Sequence, residues 1–224
     1  MAKSAASRPV LTSRLWRAGL IVAGMAVLAG CTTTSTPSPV ALSNPVAEKM
    51  YAAPVSEPHQ VAALNVSEMD PQYIRQIVDF PSQEPVGTII VDPKQRFLYL
   101  VSEHGKAIRY GVGVGKAGLE FTGTATVAYK KQWPRWTPTN DMIRREPDRY
   151  SQWRQGMDGG SRNPLGARAL YLFKNGKDTL FRIHGTTEPD SIGKAVSSGC
   201  IRMVNQDIID LYSRIPRGTK VIVR

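Results

Sequence analysis

Cysteine and histidine are both scarce in this chain, which has two cysteines and three histidines among 224 residues. Neither His59 nor His104 has cysteine or carboxylate neighbours at the spacing of metal ligands, so the sequence predicts no zinc site and no cofactor. Long apolar runs are missing too, because residues 18–29 are too few to cross a hydrocarbon core about 30 Å thick. The first eighty residues lack periodic apolar patterning. This excludes a second hydrophobic core and leaves one globular domain.

Acidic residues are outnumbered by basic ones, and the formal net charge is +11. Four basic residues and no acidic ones precede Cys31, so 25 basic and 18 acidic residues remain after that leader, a net charge of +7. A basic surface suits nucleic acid, an anionic membrane or an acidic polymer. Charge alone therefore does not identify the partner, and the compartment in which the protein works is needed to choose among these three.

The N-terminus carries the features of an export signal. A basic stretch as far as Arg17 precedes the apolar run, which ends in the small-residue site Leu28-Ala29-Gly30-Cys31. This site resembles the lipobox of bacterial lipoproteins, which implies that residues 1–30 are a signal peptide and that Cys31 is lipidated. An uncleaved membrane anchor is the alternative. Thr32 stands where an inner-membrane retention signal usually has Asp, so we expect a periplasmic protein anchored by lipid to the outer membrane.

Lipidation of Cys31 would leave Cys200 as the one free thiol of an exported chain. Without an intramolecular partner, such a cysteine indicates either an intermolecular disulfide or a reactive thiol. An exported protein rarely meets nucleic acid, so an anionic cell wall is the better match for the basic surface. Cys200 is thus the first residue that points to chemistry.

Residues 31–85 are predicted to hold the lipidated cysteine and a flexible tether. Residues 32–66 are rich in Ser, Thr, Pro and Ala and show no sustained apolar period. Further on, Asp70-Pro71 predicts a short helix, with Asp as its cap and Pro at its first position. The apolar side of this helix would consist of Tyr73, Ile74, Ile77 and Val78.

Residues 86–224 consist mostly of short β-type runs separated by turn residues. We expect strands at 88–91, 97–101, 108–114, 124–129, 169–173, 179–184 and 219–223. Asn175-Gly176 predicts a two-residue hairpin turn, because both positions tolerate positive φ. Asn205 predicts the N-cap of a short helix that ends before Pro216. The sequence therefore predicts one mainly β domain with a few short helices, and places His184 at the exit of a hairpin strand.

Residues 130–168 differ from the rest of this domain. They contain three of the four tryptophans, nine basic residues and four acidic ones, without clear periodicity. A long irregular segment in a compact domain is usually a binding loop, a lid or disordered, and the aromatic content favours ordered packing. We expect a long lid-like insertion.

His184 and Cys200 form a candidate catalytic pair. A thiol becomes a strong nucleophile as its thiolate, and a neighbouring histidine can take its proton and later return it to a leaving amine. A strand that ends at His184 and a loop that returns to Cys200 can bring the two together, and Gly199 permits close approach of the backbone to a substrate. The alternative is two ordinary residues in loops.

The full pattern is more specific than the pair. Arg182-Ile183-His184-Gly185-Thr186, then Ser197-Ser198-Gly199-Cys200-Ile201-Arg202-Met203, closely resembles the signature of the YkuD family of L,D-transpeptidases. The resemblance extends upstream through residues 87–92, 99–100, 112–116 and 122–124. It covers residues 86–224 and implies a β-sandwich of mixed strands. Ser198 departs from the pattern, since many relatives have His there, so any role of that histidine does not transfer.

The resemblance also implies roles for single residues. Cys200 is the nucleophile, His184 its proton acceptor and donor, and the backbone carbonyl of Gly185 orients the imidazole as an aspartate does in a Ser-His-Asp triad. The backbone amides of Gly199 and Cys200 would form an oxyanion hole. Ser198 and Arg202 are candidate substrate-binding residues. The guanidinium of Arg202 would either hold a substrate carboxylate or brace the Cys200 loop through carbonyls.

The implied activity is transfer between peptidoglycan stem peptides. The enzyme would expel the terminal D-alanine of a tetrapeptide donor and join the third-residue diaminopimelate to an acceptor amine through a thioester. Hydrolysis of the same thioester would make it an L,D-carboxypeptidase, or an enzyme that cuts such crosslinks. Attachment of an outer-membrane protein to the wall through a lysine is a further family activity. A different class, a non-catalytic peptidoglycan-binding lipoprotein, remains the alternative to an enzyme.

Overall fold

The structure is a computed structural model that describes residues 45–116 and 121–224. The predicted signal peptide and Cys31 lie outside the described residues. Within the described ranges, the helices are α1 (Pro45–Met50), α2 (Asn140–Arg145), α3 (Pro147–Tyr150) and α4 (Asn205–Arg214). The strands are β1 (Gln76–Asp79), β2 (Ile89–Asp92), β3 (Phe97–Val101), β4 (Lys106–Gly111), β5 (Val114–Gly115), β6 (Gly123–Gln132), β7 (Arg168–Lys174), β8 (Lys177–His184), β9 (Ala195–Ser197), β10 (Ile201–Arg202) and β11 (Lys220–Val223). This confirms a mainly β domain with a few short helices.

The described strands form one large mixed sheet and one small one. The large sheet has the order β1-β4-β3-β2-β11-β6-β7-β8-β10, and β5 pairs with β9. Most neighbours are antiparallel, but β11 pairs with β2, β10 with β8 and β5 with β9 in parallel. The predicted mixture of strand directions is confirmed. The parallel partner at the end of the large sheet, β10, follows directly after Cys200.

The centre of the sheet is buried on both faces. Side chains alternate between the two faces of a strand, so Ile89 and Val91 enter the main core while Ile90 packs in a second cluster with Phe97 and Tyr99. Helix α4 closes the main core with Ile208 and Leu211, both fully buried. Because strands buried on both faces lose the period-two pattern, these runs read as continuously apolar in the sequence.

The hairpin that carries His184 follows its sequence signal closely. Asn175 and Gly176 have φ values of 51° and 74°. Two successive left-handed residues match the right-handed twist of the flanking strands. Lys174 and Lys177 pair across the turn, and the register continues to the pairing of Ala169 with His184. The predicted hairpin and the position of His184 at its exit are confirmed.

Two helix-start predictions are only partly right. Asp70 does cap a turn, and its side chain accepts from the amide of Gln72 at 3.0 Å, but that turn is a single 3₁₀ turn at Pro71–Tyr73. Ile77 and Val78 lie instead on β1, where pairing with β4 supplies the backbone hydrogen bonds that a helix would have supplied. Asn205 is the first residue of α4 rather than its N-cap, which is Val204.

The prediction of a flexible tether is wrong from Pro45 onward. Residues 45–66, here called the N-terminal strap, pack on the domain through fully buried Tyr51. The Tyr51 hydroxyl donates to Asp207 at 3.1 Å and accepts from the amide of Arg75 at 2.7 Å. Gln206 donates to the carbonyls of Tyr51 and Ala62 at 3.2 and 2.9 Å. The strap thus satisfies polar groups that α4 would otherwise bury without partners.

Glu57 holds the other end of the strap. Its carboxylate accepts two hydrogen bonds from Arg168, at 2.8 and 2.5 Å, and one from the indole of Trp133 at 2.8 Å. The side chains of Glu57 and Arg168 are only 9% and 8% exposed. Burial raises the pKa of Glu57, but the hydrogen bonds from Arg168 and Trp133 outweigh burial and hold the pKa below its usual range.

We predict that Glu57→Ala destabilises the domain strongly. The substitution leaves the buried Arg168 guanidinium without its partner, which typically costs about 3–5 kcal/mol in the free energy of unfolding. Urea denaturation of residues 45–224 measures this free energy. The control is Glu103→Ala, which removes a carboxylate that is 77% exposed and is expected to change stability by less than about 1 kcal/mol. Equal effects of the two substitutions would contradict the role of Glu57.

Candidate active site

The parallel pairing of β8 and β10 brings His184 and Cys200 to one place. His184 is the last residue of β8 and pairs with Arg202, while Ile183 pairs with Ile201. Paired residues project to the same face of a sheet, and residues two apart on a strand share that face. The amide of Met203 also donates to the carbonyl of His184 at 2.8 Å. Both His184 and Cys200 line the same cavity, as the catalytic-pair interpretation requires.

The tautomer of His184 follows from one hydrogen bond. Nδ1 lies 2.5 Å from the carbonyl oxygen of Gly185. Because a carbonyl only accepts, Nδ1 carries the proton in the neutral ring and Nε2 keeps a lone pair. Burial lowers the pKa of His184 to about 4, and the hydrogen bond to Gly185 offsets this only in part. At neutral pH the imidazole is therefore uncharged and can accept a proton at Nε2.

The carbonyl of Gly185 is itself held in position. The Gly185 amide donates to the carbonyl of Arg168 at 3.0 Å. Asn205 bridges the same two segments: its side-chain oxygen accepts from the amide of Ala167 at 2.9 Å, and its side-chain nitrogen donates to the carbonyl of Thr186 at 3.0 Å. Sequence reasoning assigned Asn205 to a helix cap and missed this role. No local signal reveals it, since the partners lie 38 and 19 residues away.

Cys200 sits on a turn organised by Ser197. The Ser197 hydroxyl donates to the carbonyl of Cys200 at 2.6 Å and accepts from the amide of Gly199 at 3.1 Å. Gly199 has a φ of 127°, a conformation that side-chain-bearing residues rarely adopt. The Gly199 amide, predicted to serve an oxyanion hole, thus donates to Ser197 instead. Of the two backbone amides that were predicted to form the oxyanion hole, that of Cys200 remains a candidate donor.

The thiol of Cys200 is un-ionised in this environment. Burial raises its pKa, and this effect outweighs the opposite effects of the Arg182 backbone and of the Arg182 and Arg202 charges. Sγ lies 3.9 Å from the carbonyl oxygen of Leu180, a residue with a φ of 63°. In the resting state a neutral thiol and a neutral imidazole therefore line the same cavity.

Arg202 has a partner that neither sequence interpretation named. Its guanidinium donates to the carboxylate of Glu188 at 2.6 Å, and its side chain is 17% exposed. The carboxylate of Glu188 also lies 3.7 Å from Arg149. Arg202 lines the same cavity as Cys200, and so does half-buried Ser198. The side chain of Arg202 thus bonds to a carboxylate rather than to the carbonyls of the Cys200 loop.

The insertion at residues 133–167, here called the lid, forms much of the cavity wall. The cavity has a volume of about 540 Å³, and lid residues such as Trp136 and Trp153 line it together with Cys200. Trp136 and Met157 exchange two backbone hydrogen bonds, at 2.9 and 2.7 Å. Buried Asn163 contacts three lid carbonyls, each at 3.1 Å. Residues 133–167 are therefore an ordered insertion, whereas the ends of the expected segment, residues 130–132 and 168, belong to β6 and β7.

Residues 45–116 and 121–224 contain neither a cluster of metal ligands nor a helix that could cross a membrane. No group of histidine, cysteine or carboxylate side chains there is arranged to hold a metal ion. Over the same residues, the helices are too short or too polar to cross a membrane.

We predict that Asn205→Ala slows the reaction of Cys200 without unfolding the domain. Loss of the bridge between Ala167 and Thr186 loosens the Gly185 carbonyl that orients His184. The rate of alkylation by iodoacetamide at pH 7, measured by intact mass spectrometry, should fall by about tenfold. This is smaller than the rate factor of about 10²–10⁴ that a positioned base contributes in full. Tyr51→Phe is the control, since it removes a buried hydrogen bond of the strap and is expected to lower stability only. Equal rates for wild type and Asn205→Ala would exclude a positioning role.

We also predict the pH dependence of this alkylation. Because burial raises the pKa of Cys200, the thiolate is scarce at neutral pH, and the rate should still be rising at the ordinary thiol pKa of about 8.5. Alkylation rates between pH 5 and 10, with glutathione as the reference thiol, test this. A rate that reaches its plateau below pH 7 would instead indicate a preformed thiolate–imidazolium pair.

Comparison with known proteins adds the family. A model of the YkuD L,D-transpeptidase catalytic domain matches residues 87–223. The curated relative named "Probable L,D-transpeptidase ErfK/SrfK" from Escherichia coli (strain K12) is 32% identical over 150 residues, 66% of this chain and 47% of that protein. This chain thus spans about half the length of that relative.

Two solved structures are similar to the chain. A Brucella melitensis protein described as a probable carnitine operon oxidoreductase is 54% identical, with 70% of this chain and 96% of that one covered and a TM-score of 0.48. An L,D-transpeptidase from Mycobacterium smegmatis is 18% identical, with 61% and 58% covered and a TM-score of 0.45. The family model covers more than half of the chain and includes both His184 and Cys200. The chain therefore belongs to the YkuD family of L,D-transpeptidase catalytic domains.

Proposed function

We propose that this protein is a peptidoglycan L,D-transpeptidase that crosslinks stem peptides through a thioester on Cys200. One observation carries the proposal: Cys200 and His184 line one cavity, and the Gly185 carbonyl fixes the proton of His184 on Nδ1. Such an arrangement suits acyl transfer, because one nitrogen must first remove a proton from the nucleophile and later return it to the leaving group. Membership of the YkuD family supports the choice of peptidoglycan as substrate.

The acylation half-reaction uses groups of this chain alone. Sγ of Cys200 attacks the carbonyl carbon of diaminopimelate in the donor while Nε2 of His184 takes the thiol proton. The charge that develops on the carbonyl oxygen is stabilised by the backbone amide of Cys200. When the tetrahedral intermediate collapses, the C–N bond breaks, and His184 returns the proton to the amine of the departing D-alanine. A thioester and a neutral imidazole remain.

The second half-reaction reverses these roles. The acceptor amine attacks the thioester carbonyl, and Nε2 of His184 takes the proton that the amine loses. Collapse breaks the C–S bond, and the proton passes from His184 to the sulfur, which restores the thiol. Water in place of the amine gives L,D-carboxypeptidase activity by the same steps. Gly185 takes part only through its carbonyl, which also stabilises the transient imidazolium.

Arg202 and Ser198 are proposed to contact the substrate. Both line the cavity, and the positive charge of Arg202 lies close enough to lower the pKa values of both His184 and Cys200. The bond from Arg202 to Glu188 leaves other guanidinium N–H groups for a substrate carboxylate or carbonyl. Glu188 would hold Arg202 in the orientation needed for that contact.

We further propose that the protein works in the periplasm, anchored to the outer membrane through acylated Cys31. The sequence around Cys31 supports this, and a periplasmic site would place the enzyme beside its substrate.

The test is incubation of residues 45–224 with a disaccharide-tetrapeptide, with products identified by mass spectrometry. The expected product is the crosslinked dimer with one D-alanine lost. Cys200→Ala is the matched control and should give no product. Tripeptide alone would indicate a carboxypeptidase, and linkage of a lysine-bearing outer-membrane protein would indicate an attachment enzyme. Binding without any product, equal for wild type and Cys200→Ala, would refute the enzymatic proposal and leave a wall-binding lipoprotein.

A further inference from the structure

Four arginines line the catalytic cavity, and two of them are already neutralised. Arg202 donates to Glu188 at 2.6 Å. Arg149 lies 3.4 Å from the carboxylate of Glu146 and 3.7 Å from that of Glu188. The other acidic residue on the wall, Asp141, is paired with Arg144, which does not line the cavity. These ion pairs leave the wall with an excess of positive charge.

That excess belongs to two lid residues, Arg145 and Arg162. Both line the cavity. Among the residues that the structure describes, neither side chain has a hydrogen-bond or ion-pair partner. Arg145 is the last residue of α2, and Arg162 directly precedes Asn163. Both side chains are solvent-exposed at the cavity wall and are therefore available to an anion, since a guanidinium binds carboxylates through two parallel N–H groups.

The lid holds these two arginines on an ordered frame. The side-chain nitrogen of Asn163 contacts the carbonyls of Pro134, Met157 and Asp158, and its side-chain oxygen accepts from the amide of Leu165 at 2.9 Å. Helix α2 is capped by the Thr139 hydroxyl, which accepts from the amide of Met142 at 3.2 Å. A preorganised frame reduces the entropy that binding would otherwise cost.

We infer that Arg145 and Arg162 form a carboxylate-binding subsite that makes the enzyme prefer donors with free carboxylates over amidated ones. The inference rests on the proposed function, since the donor is the stem peptide. Such a donor offers two carboxylates near the bond that breaks: that of the terminal D-alanine and that at the end of the diaminopimelate side arm. Replacing a carboxylate by a carboxamide removes its charge and its ability to accept two N–H groups at once.

The first test measures binding without chemistry. Calorimetry follows a tetrapeptide stem as it binds to residues 45–224 carrying Cys200→Ala, alone or with R145Q and R162Q added. The two arginine substitutions should weaken binding by at least tenfold. Arg154→Gln is the matched control, because Arg154 is an exposed arginine of the same lid that does not line the cavity. It should bind as the parent does. Thermal unfolding confirms that all variants are folded.

Two amidated peptides identify the carboxylate. One carries an amide at the diaminopimelate side arm, the other at the terminal D-alanine. The peptide that lacks the recognised group should bind the parent at least tenfold more weakly, and R145Q with R162Q should weaken it no further. Equal binding of all three peptides, or binding unchanged by the arginine substitutions, would overturn the subsite.

Turnover by the enzyme with Cys200 intact separates this inference from the proposed function. With the arginines replaced, KM for the unmodified donor should rise while kcat changes little. If wild type forms no product from any donor but the binding difference persists, the proposed function fails and the carboxylate subsite stands. If product forms with unchanged KM in the arginine variants, the function stands and the subsite is refuted.

Discussion

The hydrogen bond from Nδ1 of His184 to the carbonyl of Gly185 is the constraint on which the chemistry of this protein depends. It places the proton on Nδ1 and leaves Nε2 able to accept a proton. Burial keeps the imidazole neutral by lowering its pKa to about 4, and the hydrogen bond to the Gly185 carbonyl offsets this only in part. The pair accordingly stores no charge in the resting state, and charge separation is confined to the moment of attack.

Much of the rest of the domain keeps that carbonyl in place. Glu57 binds the guanidinium of Arg168, and the carbonyl of Arg168 accepts from the amide of Gly185. Asn205, on the first turn of α4, links the same segments from the other side. The strap, the end of the lid and α4 therefore meet at the residue that orients His184. A segment before the family's catalytic domain thus contributes to the support of its active site.

The lid combines an apolar wall with concentrated positive charge. Tryptophans and backbone hydrogen bonds give it order, while Glu188 connects Arg149 of the lid with Arg202 beside the nucleophile. A cavity lined by an excess of one charge raises the local concentration of counter-ions, and such a property is consistent with the proposed anionic donor. Of the nine basic residues in 130–168, three line this cavity, namely Arg145, Arg149 and Arg162, and the other six lie elsewhere on the domain.

The sequence by itself determined the mainly β fold, the Asn175-Gly176 hairpin and the position of His184 at the exit of that hairpin, because turns and strand runs depend on neighbouring residues. The sequence did not reveal that the strap packs on the domain, because the composition of residues 45–66 suggested a flexible tether. Tyr51 and Glu57 have their partners more than one hundred residues away, at Asp207 and Arg168. The bridge made by Asn205 spans 38 and 19 residues and the contact between Glu188 and Arg202 spans 14, and these contacts also lie outside the range of local sequence patterns. Only the tertiary structure decided these contacts, because side-chain hydrogen bonds between remote segments leave no periodic trace in a single sequence.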